Sequence, residues 1–262
     1  MSLLERVAII LVEPEGGANI GSSARALKTM GLSRLRLVRP QEDPLAPAAL
    51  KMAVHAEDVL RSASRHQSLE EAIAGDHWVI GATARPRDNP QRKLPLDPAA
   101  FSLRLRALSA GVRVALVFGP ERCGLTNDQL GLCQDLLTWP TAPAYPVLNL
   151  AQAVLLAAWE VRRVALIETR PGGAPEASPT AGATAGEIQG LIDHLAGTLA
   201  RIGYLNSQNP RIALDELRAI FSRAELRPRE FKMLRGIFHK MDGYAASRGG
   251  PTKPERPGRR RQ

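Results

Sequence analysis

Three short segments carry the polar residues whose types and positions could support chemistry. Asn19 and Arg25 lie in GGANIGSSARALKTMG, Glu121 lies in FGPERCGLTNDQL, and Asn149 lies in YPVLNLAQAV. An arginine beside small residues suits a phosphate, which its guanidinium binds as a fork. A carboxylate and two amides can orient such a group or a ligand. Each residue also has a purely structural reading: a solvated helix arginine, a tight turn, and caps at two helix starts.

Common nucleotide and hydrolase signatures are absent from these segments. Gly21 is followed by Ser22 and Ser23, so the first segment is not a P-loop. The chain lacks GxGxxG, and Arg39–Pro40 stands where a dinucleotide fold places an acid for the ribose, which disfavours a dehydrogenase. There is no Gly-x-Ser-x-Gly elbow. No metal site is predicted, because the histidines show no ligand spacing: His55, His66, His77, His194 and His239.

Strands and helices alternate along the first two thirds of the chain. Arg6 to Val12 is a continuous apolar run, typical of a strand buried on both faces. Asn19 is predicted to cap a helix that runs to about Met30 and ends at Gly31. Further strands are predicted at 35–38, 78–81, 112–118 and 136–139, and further helices at 69–74, 98–109, 127–132 and 148–167. This order predicts an α/β fold with a mostly parallel sheet and helices on both faces.

The segment FGPERCGL directly follows one of these buried strands. Ligands of open parallel sheets bind at the carboxyl ends of the strands. Gly119 would let a backbone come close to such a ligand, and Thr126 would cap the next helix.

The composition changes after the last long helix. We predict one domain over 1–169, a Pro/Gly/Ala-rich linker over 170–186, a helical extension over 187–246 and a disordered basic tail over 247–262. Three apolar stripes at helical spacing support the helical extension. Their members are Leu191, Leu195, Leu199 and Ile202; Leu217, Ile220 and Phe221; and Phe231, Leu234, Ile237 and Phe238.

The charge balance favours a polyanionic partner, RNA or DNA first. The formal net charge is +9. Residues 249–262 contribute +4 of it, from five basic residues and one acid. The alternative is that the excess only serves solubility. Cys123 and Cys133 form no disulfide framework, which fits a reducing cytoplasm, and no run approaches the roughly 18 apolar residues of a membrane span.

Taken together and in order, the three segments resemble the motifs of the SpoU group of knotted methyltransferases. NIGSSARALKTMGL is similar to the first motif, FGPERCGLTNDQL to the second and VLNLAQAV to the third. The match is closest to the TrmJ branch of tRNA ribose 2′-O-methyltransferases. ALKMAVHAEDVL, GATARPR and NPRIALDELRAIFSRAELRPREFKMLRGIF also resemble that branch, so the likeness covers about residues 5 to 240.

The resemblance implies a C-terminal trefoil knot in the catalytic domain and a homodimer with its active site at the subunit interface. It implies S-adenosylmethionine as cofactor, in a pocket lined by Thr83, Gly119, Trp139 and Leu148. Asn19, Arg25, Glu121 and Asn149 match the family's polar active-site positions. The implied reaction is 2′-O-methylation of a tRNA ribose, at the first nucleotide of the anticodon loop. The alternatives are ribosomal RNA as substrate, or a knotted RNA-binding protein without activity.

Two further expectations concern the RNA, and a third concerns one position at which the sequence departs from the family. The family assigns its first-motif arginine, here Arg25, to activation of the 2′-hydroxyl. We prefer phosphate binding and charge stabilisation, because a guanidinium stays protonated. RNA phosphates are expected to contact the loop after the third strand, through Arg85, Arg87, Arg92 and Lys93. Val147 replaces the serine usual in the third motif, which removes one hydrogen bond worth about 1 kcal/mol.

Overall fold

A parallel β-sheet forms the centre of the molecule. The computed structural model describes residues 2–84, 95–168, 182–205, 210–224 and 226–247. Within them, six strands pair only in parallel, in the order β3-β2-β1-β5-β4-β6. The strands are β1 Val7–Val12, β2 Arg34–Val38, β3 Ser64–His66, β4 Trp78–Ala82, β5 Val114–Phe118 and β6 Asp135–Leu137. The predicted α/β class and parallel sheet are confirmed.

Helices cover both faces of this sheet. They are α1 Leu3–Arg6, α2 Gly17–Met30, α3 Pro47–Ala53, α4 Glu57–Arg61, α5 Leu69–Ile73, α6 Pro98–Arg106, α7 Asn127–Gly131 and α8 Leu150–Glu168. Alternate residues of β1 enter different cores, as strand geometry requires. Ile9 and Leu11 pack in the larger core with α2 and α8, whereas Ile10 and Val12 pack in the smaller core with α5 and α7.

The helix α2 starts three residues earlier than the sequence predicts. Its N-cap is Gly16, and Asn19 lies inside the first turn, so the predicted cap at Asn19 is wrong. The backbone N–H groups at the start of α2 donate to the carboxylates of Glu42 and Glu121, which lie on other loops. The side chain of Asn19 is therefore not needed as a cap and makes other contacts. The predicted end is confirmed: Gly31 adopts a left-handed conformation with φ 79°.

The C-terminal helices α9 Ala185–Arg201, α10 Pro210–Arg223 and α11 Pro228–Ser247 share a core of their own. The N-terminus of α9 is joined to the end of α5: Ala185 N–H donates to the carbonyl of Asp76 at 2.7 Å, and Gly186 N–H donates to that of Ala74 at 3.0 Å. Three members of the predicted apolar stripes are exposed instead of buried: Ile202, Ile220 and Ile237. No helix in the described parts of the chain is long and apolar enough to cross a membrane.

Candidate functional site

A cavity of about 510 Å³ lies at the carboxyl ends of β4, β5 and β6. Its volume falls within the range of about 300–1,000 Å³ typical of small-molecule sites. Most lining residues come from three loops and the start of α8, within 82–84, 118–125, 139–148 and 150–153, and Leu130 of α7 completes the lining. The four residues expected to hold a cofactor, Thr83, Gly119, Trp139 and Leu148, all line this cavity. The structure therefore brings together positions that lie up to 65 residues apart in the sequence.

The loop after β5 forms one wall of the cavity and is tightly folded on itself. A Cβ atom at Gly119 would overlap the carbonyl carbon of Gly124 and the nitrogen of Leu125, so only glycine fits there. Gly124 has φ 67° and donates its N–H to the carbonyl of Pro120 at 2.8 Å. The close approach at Gly119 is thus first an approach of the loop's own backbone. Thr126 caps α7, as predicted.

Glu121 links this wall to the loop after β1. Its Oε2 accepts the N–H of Glu15 at 2.9 Å, and its Oε1 accepts the N–H of Gly16 at 3.4 Å. Oε1 also accepts the side-chain amide of Asn19 at 2.8 Å. A single half-buried carboxylate therefore binds two backbone donors and one side chain of the first motif.

Asn149 connects the third motif to the same network. Its Nδ2 donates to Oδ1 of Asn19 at 2.9 Å, while its own Oδ1 accepts the N–H of Ala151 at 2.9 Å at the start of α8. Asn149 is thus both a helix cap and a partner of the first motif. Asn19 stands in the middle, donating to Glu121 and accepting from Asn149.

Arg25 is not part of this cluster within one chain. It lies six residues after Asn19 on α2, is exposed and does not line the cavity. In the described regions no hydrogen bond or ion pair engages its guanidinium. The residues expected to contact RNA, Arg85, Arg87, Arg92 and Lys93, lie outside the described residues, as do the tail and most of the linker.

The cavity has the mixed lining expected for a partly apolar cofactor. Apolar side chains such as Leu125, Trp139 and Leu148 line it beside the polar Thr83 and Glu121. Thr83 N–H donates to the carbonyl of Leu137 at 3.0 Å, which fixes this loop to the end of β6. In the described ranges no cluster of three or more His, Cys, Asp or Glu side chains could hold a metal ion.

Three further residues act in or near the site: Val147, which the sequence singles out, and Thr141 and Glu42, which it does not. Thr141 donates its hydroxyl to the carbonyl of Pro146 at 2.9 Å and so closes the loop that carries Leu148. Val147 lines the cavity and is 46% exposed, so a serine hydroxyl at this position would reach solvent or ligand. Glu42 accepts the N–H of Gly17 at 2.7 Å. No local pattern singles out Thr141 or Glu42, because each acts on a loop backbone and not through a motif.

The fold and site define a ligand-binding α/β protein whose cavity lies beyond the carboxyl edge of a parallel sheet. The model of the SpoU rRNA Methylase family matches residues 6–159, and the chain belongs to this family. SpoU methyltransferases use S-adenosylmethionine, which is the cofactor of this chain. A second family model, the C-terminal domain of the tRNA methyltransferase TrmJ, matches residues 186–251.

Relatives of known name match nearly the whole chain. The tRNA (cytidine/uridine-2′-O-)-methyltransferase TrmJ of Salmonella typhimurium is 38% identical over 240 residues, which are 92% of this chain and 98% of the relative. That of Pectobacterium atrosepticum is 37% identical over 235 residues, 90% of this chain and 96% of the relative. The crystal structure of TrmJ from Z. mobilis ZM4 has a TM-score of 0.77 at 32% identity and covers 90% of this chain and 98% of its own.

Proposed function

We propose that this protein transfers a methyl group from S-adenosylmethionine to a ribose 2′-hydroxyl of tRNA, at the first nucleotide of the anticodon loop. The observation that carries the proposal is the cavity lined by Thr83, Gly119, Trp139 and Leu148, with Glu121 in its wall. The relatives named as tRNA 2′-O-methyltransferases support tRNA as the substrate. The nucleotide position rests on the resemblance alone. We also propose a cytoplasmic location, which is consistent with a tRNA substrate.

The proposed enzyme is a homodimer with a trefoil knot around the cavity. One argument for the dimer is the exposed apolar side chains on one face of α8, Leu155, Trp159 and Leu166, which a second copy could cover. Another is Arg25, which does not reach the cavity of its own chain. If the active site lies at the subunit interface, Arg25 of one subunit can act at the cavity of the other subunit. We also propose domains over 1–169 and 187–246, joined by a linker over 170–186 and followed by a basic tail over 247–262. The spans of the two family models support the division into domains.

The bound cofactor supplies the methyl group on a sulfonium sulfur. Glu121 holds the loops after β1 and β5 in one arrangement, and Asn19 extends this order to Asn149. Arg25 binds the phosphate next to the target ribose and stabilises the negative charge that develops on the ribose 2′-oxygen. It is a poor general base, because its guanidinium remains protonated. Alignment and charge stabilisation are thus the tasks of the protein side chains.

The test is methyl transfer from labelled S-adenosylmethionine to bulk tRNA, with the methylated ribose mapped. Wild type should label an anticodon-loop 2′-oxygen. Arg25→Ala should lose about 100-fold or more in rate, a typical cost of removing a charge-stabilising donor. Arg61→Ala is the matched control, since Arg61 is an exposed arginine that pairs with Glu57 within α4.

Two results would contradict the proposal. If the dimeric wild type binds S-adenosylmethionine and methylates ribosomal RNA but not tRNA, the substrate is ribosomal RNA. A wild type that binds RNA but neither binds the cofactor nor labels any RNA would be an RNA-binding protein only.

A further inference from the structure

The start of α2 is held by two carboxylates from different loops. Glu121, after β5, accepts the N–H groups of Glu15 and Gly16. Glu42, after β2, accepts the next one: Gly17 N lies 2.7 Å from Glu42 Oε2. Three successive N–H groups at a helix N-terminus are thereby satisfied by charged acceptors, which also suit the positive end of the helix dipole.

We propose that Glu42 is a positioning residue for methyl transfer, acting through the first turn of α2 on Asn19. This inference rests on the proposed function. Asn19 uses both ends of its side-chain amide, donating to Glu121 at 2.8 Å and accepting from Asn149 at 2.9 Å. Because the two partners lie on different loops, a shift of the first turn of α2 weakens at least one of these bonds.

The loop that carries Glu42 is itself tied to the loop after β1. Gln41 N–H donates to the carbonyl of Pro14 at 3.1 Å, and Glu13 N–H donates to that of Val38 at 2.8 Å. These bonds keep the Glu42 carboxylate beside Gly17. The space between them is filled: a Cβ atom at Gly17 would lie 2.6 Å from Glu42 Oε2.

The position of Glu42 separates a positioning role from a purely stabilising one. Glu42 is exposed and does not line the cofactor cavity. Its removal opens no core and touches no cavity wall. A stabilising role predicts a lower unfolding temperature alone, whereas a positioning role predicts a lower kcat with unchanged cofactor affinity.

The experiment measures kcat, KM for tRNA, Kd for S-adenosylmethionine and unfolding temperature in a set of variants of the full-length protein. Glu42→Ala should lower kcat about tenfold, since small misplacements of reacting groups are costly, and should leave the cofactor Kd and the KM for tRNA within about twofold. Glu42→Gln keeps an acceptor oxygen for Gly17 and should restore kcat to within about threefold.

A second variant breaks the same contact from the other side. Gly17→Ala displaces the Glu42 carboxylate without removing its charge, and alanine favours the helix. It should lower kcat like Glu42→Ala while the unfolding temperature stays equal or rises. Glu57→Ala removes an exposed carboxylate on α4 that is hydrogen-bonded to Arg61, and it serves as the charge-matched control.

Three results would overturn the role of Glu42: a kcat for Glu42→Ala within twofold of wild type, an equal loss in Glu42→Gln, or a cofactor Kd that rises in parallel with the fall in kcat. The contact can also be measured without RNA, by hydrogen–deuterium exchange of a peptide covering residues 13–20. Exchange is expected to be faster in Glu42→Ala than in wild type and Glu42→Gln. Equal exchange would show that the contact between Glu42 and Gly17 does not hold the first turn of α2. A wild type without activity on tRNA would refute the proposed substrate instead.

Discussion

Asn19 and Glu121 are joined by a hydrogen bond of 2.8 Å although 102 residues separate them in the sequence. The bond connects the first and second motifs at the edge of the cavity. The same carboxylate also binds the N–H groups of Glu15 and Gly16, so three donors depend on one side chain. Glu121 therefore fixes the relative position of two loops that local sequence cannot set.

Replacing Glu121 by alanine should reduce both activity and stability. Three donors in a half-buried region lose their acceptor, which costs about 1–3 kcal/mol in the free energy of unfolding. The kcat for methyl transfer should fall about 10- to 100-fold, because Asn19 loses its orientation. Urea unfolding and single-turnover methyl transfer measure the two effects. Glu121→Gln supplies only one oxygen for donors that now use two, and a wild-type kcat in that variant would contradict the positioning role.

Gly119→Ala should abolish the cofactor cavity by displacing its wall. The added methyl group would overlap the backbone of Gly124 and Leu125, which cannot move as a flexible side chain can. Overpacking of this kind costs about 1–3 kcal/mol in the free energy of unfolding. The Kd for S-adenosylmethionine, measured by calorimetry, should rise more than about tenfold. The control is Gly131→Ala on α7, where nothing lies within 4 Å of an added Cβ, and unchanged cofactor binding in Gly119→Ala would refute this account.

The parts of the fold that could be predicted from sequence are those with a local signal. β1 and β5 are continuous apolar runs, buried at every position, and Gly31 ends α2 as a glycine can. The edge strand Ser64–His66 was missed because it is polar and largely exposed.

The candidate site divides in the same way. Its motifs are visible in the sequence, and they gave Asn19, Glu121 and Asn149. The start of α2 was misplaced because its capping groups are the carboxylates of Glu42 and Glu121, which come from other loops. Such contacts depend on tertiary structure and leave no pattern near residue 17.

Cys123 should report on occupation of the cavity. It is exposed on the loop that lines the cavity, whereas Cys133 is half-buried against Gly81. Iodoacetamide should therefore alkylate Cys123 first, because reaction requires access to the thiol. S-adenosylmethionine at a concentration that occupies about nine tenths of the cavities should slow the alkylation of Cys123 about tenfold.

Mass spectrometry of the alkylated peptides measures both rates. Cys123→Ser should remove the fast phase and leave the slower labelling of Cys133. If calorimetry shows bound cofactor but the alkylation rate of Cys123 does not change, the cofactor lies outside this cavity.

His77 should make the stability of the protein fall as the pH is lowered below neutrality. Partial burial lowers the pKa of His77, and the positive charge of Arg113 lowers it further, against smaller opposing effects of Asp76 and Glu187. The neutral ring is also used, since its Nδ1 accepts the N–H of Arg113 at 3.1 Å. The unfolded chain takes up a proton near the ordinary pKa of about 6.5, while the folded protein resists it. Unfolding therefore becomes easier as the pH falls through about 6.5, and this loss of stability ends once the pH is below the lower pKa of His77 in the folded protein.

Urea unfolding from about pH 8 to about pH 5.5 tests this sign, because that range spans the histidine titration. His77→Asn keeps an acceptor oxygen for the N–H of Arg113 but cannot titrate, so its free energy of unfolding should decline less on acidification than that of wild type. His55→Asn, at an exposed position, is the matched control and should follow the wild-type curve. The difference between the curves isolates His77, because His194 and its partner Asp242 are present in all three proteins. Parallel curves for wild type and His77→Asn would show that the proton on His77 does not contribute to the pH dependence.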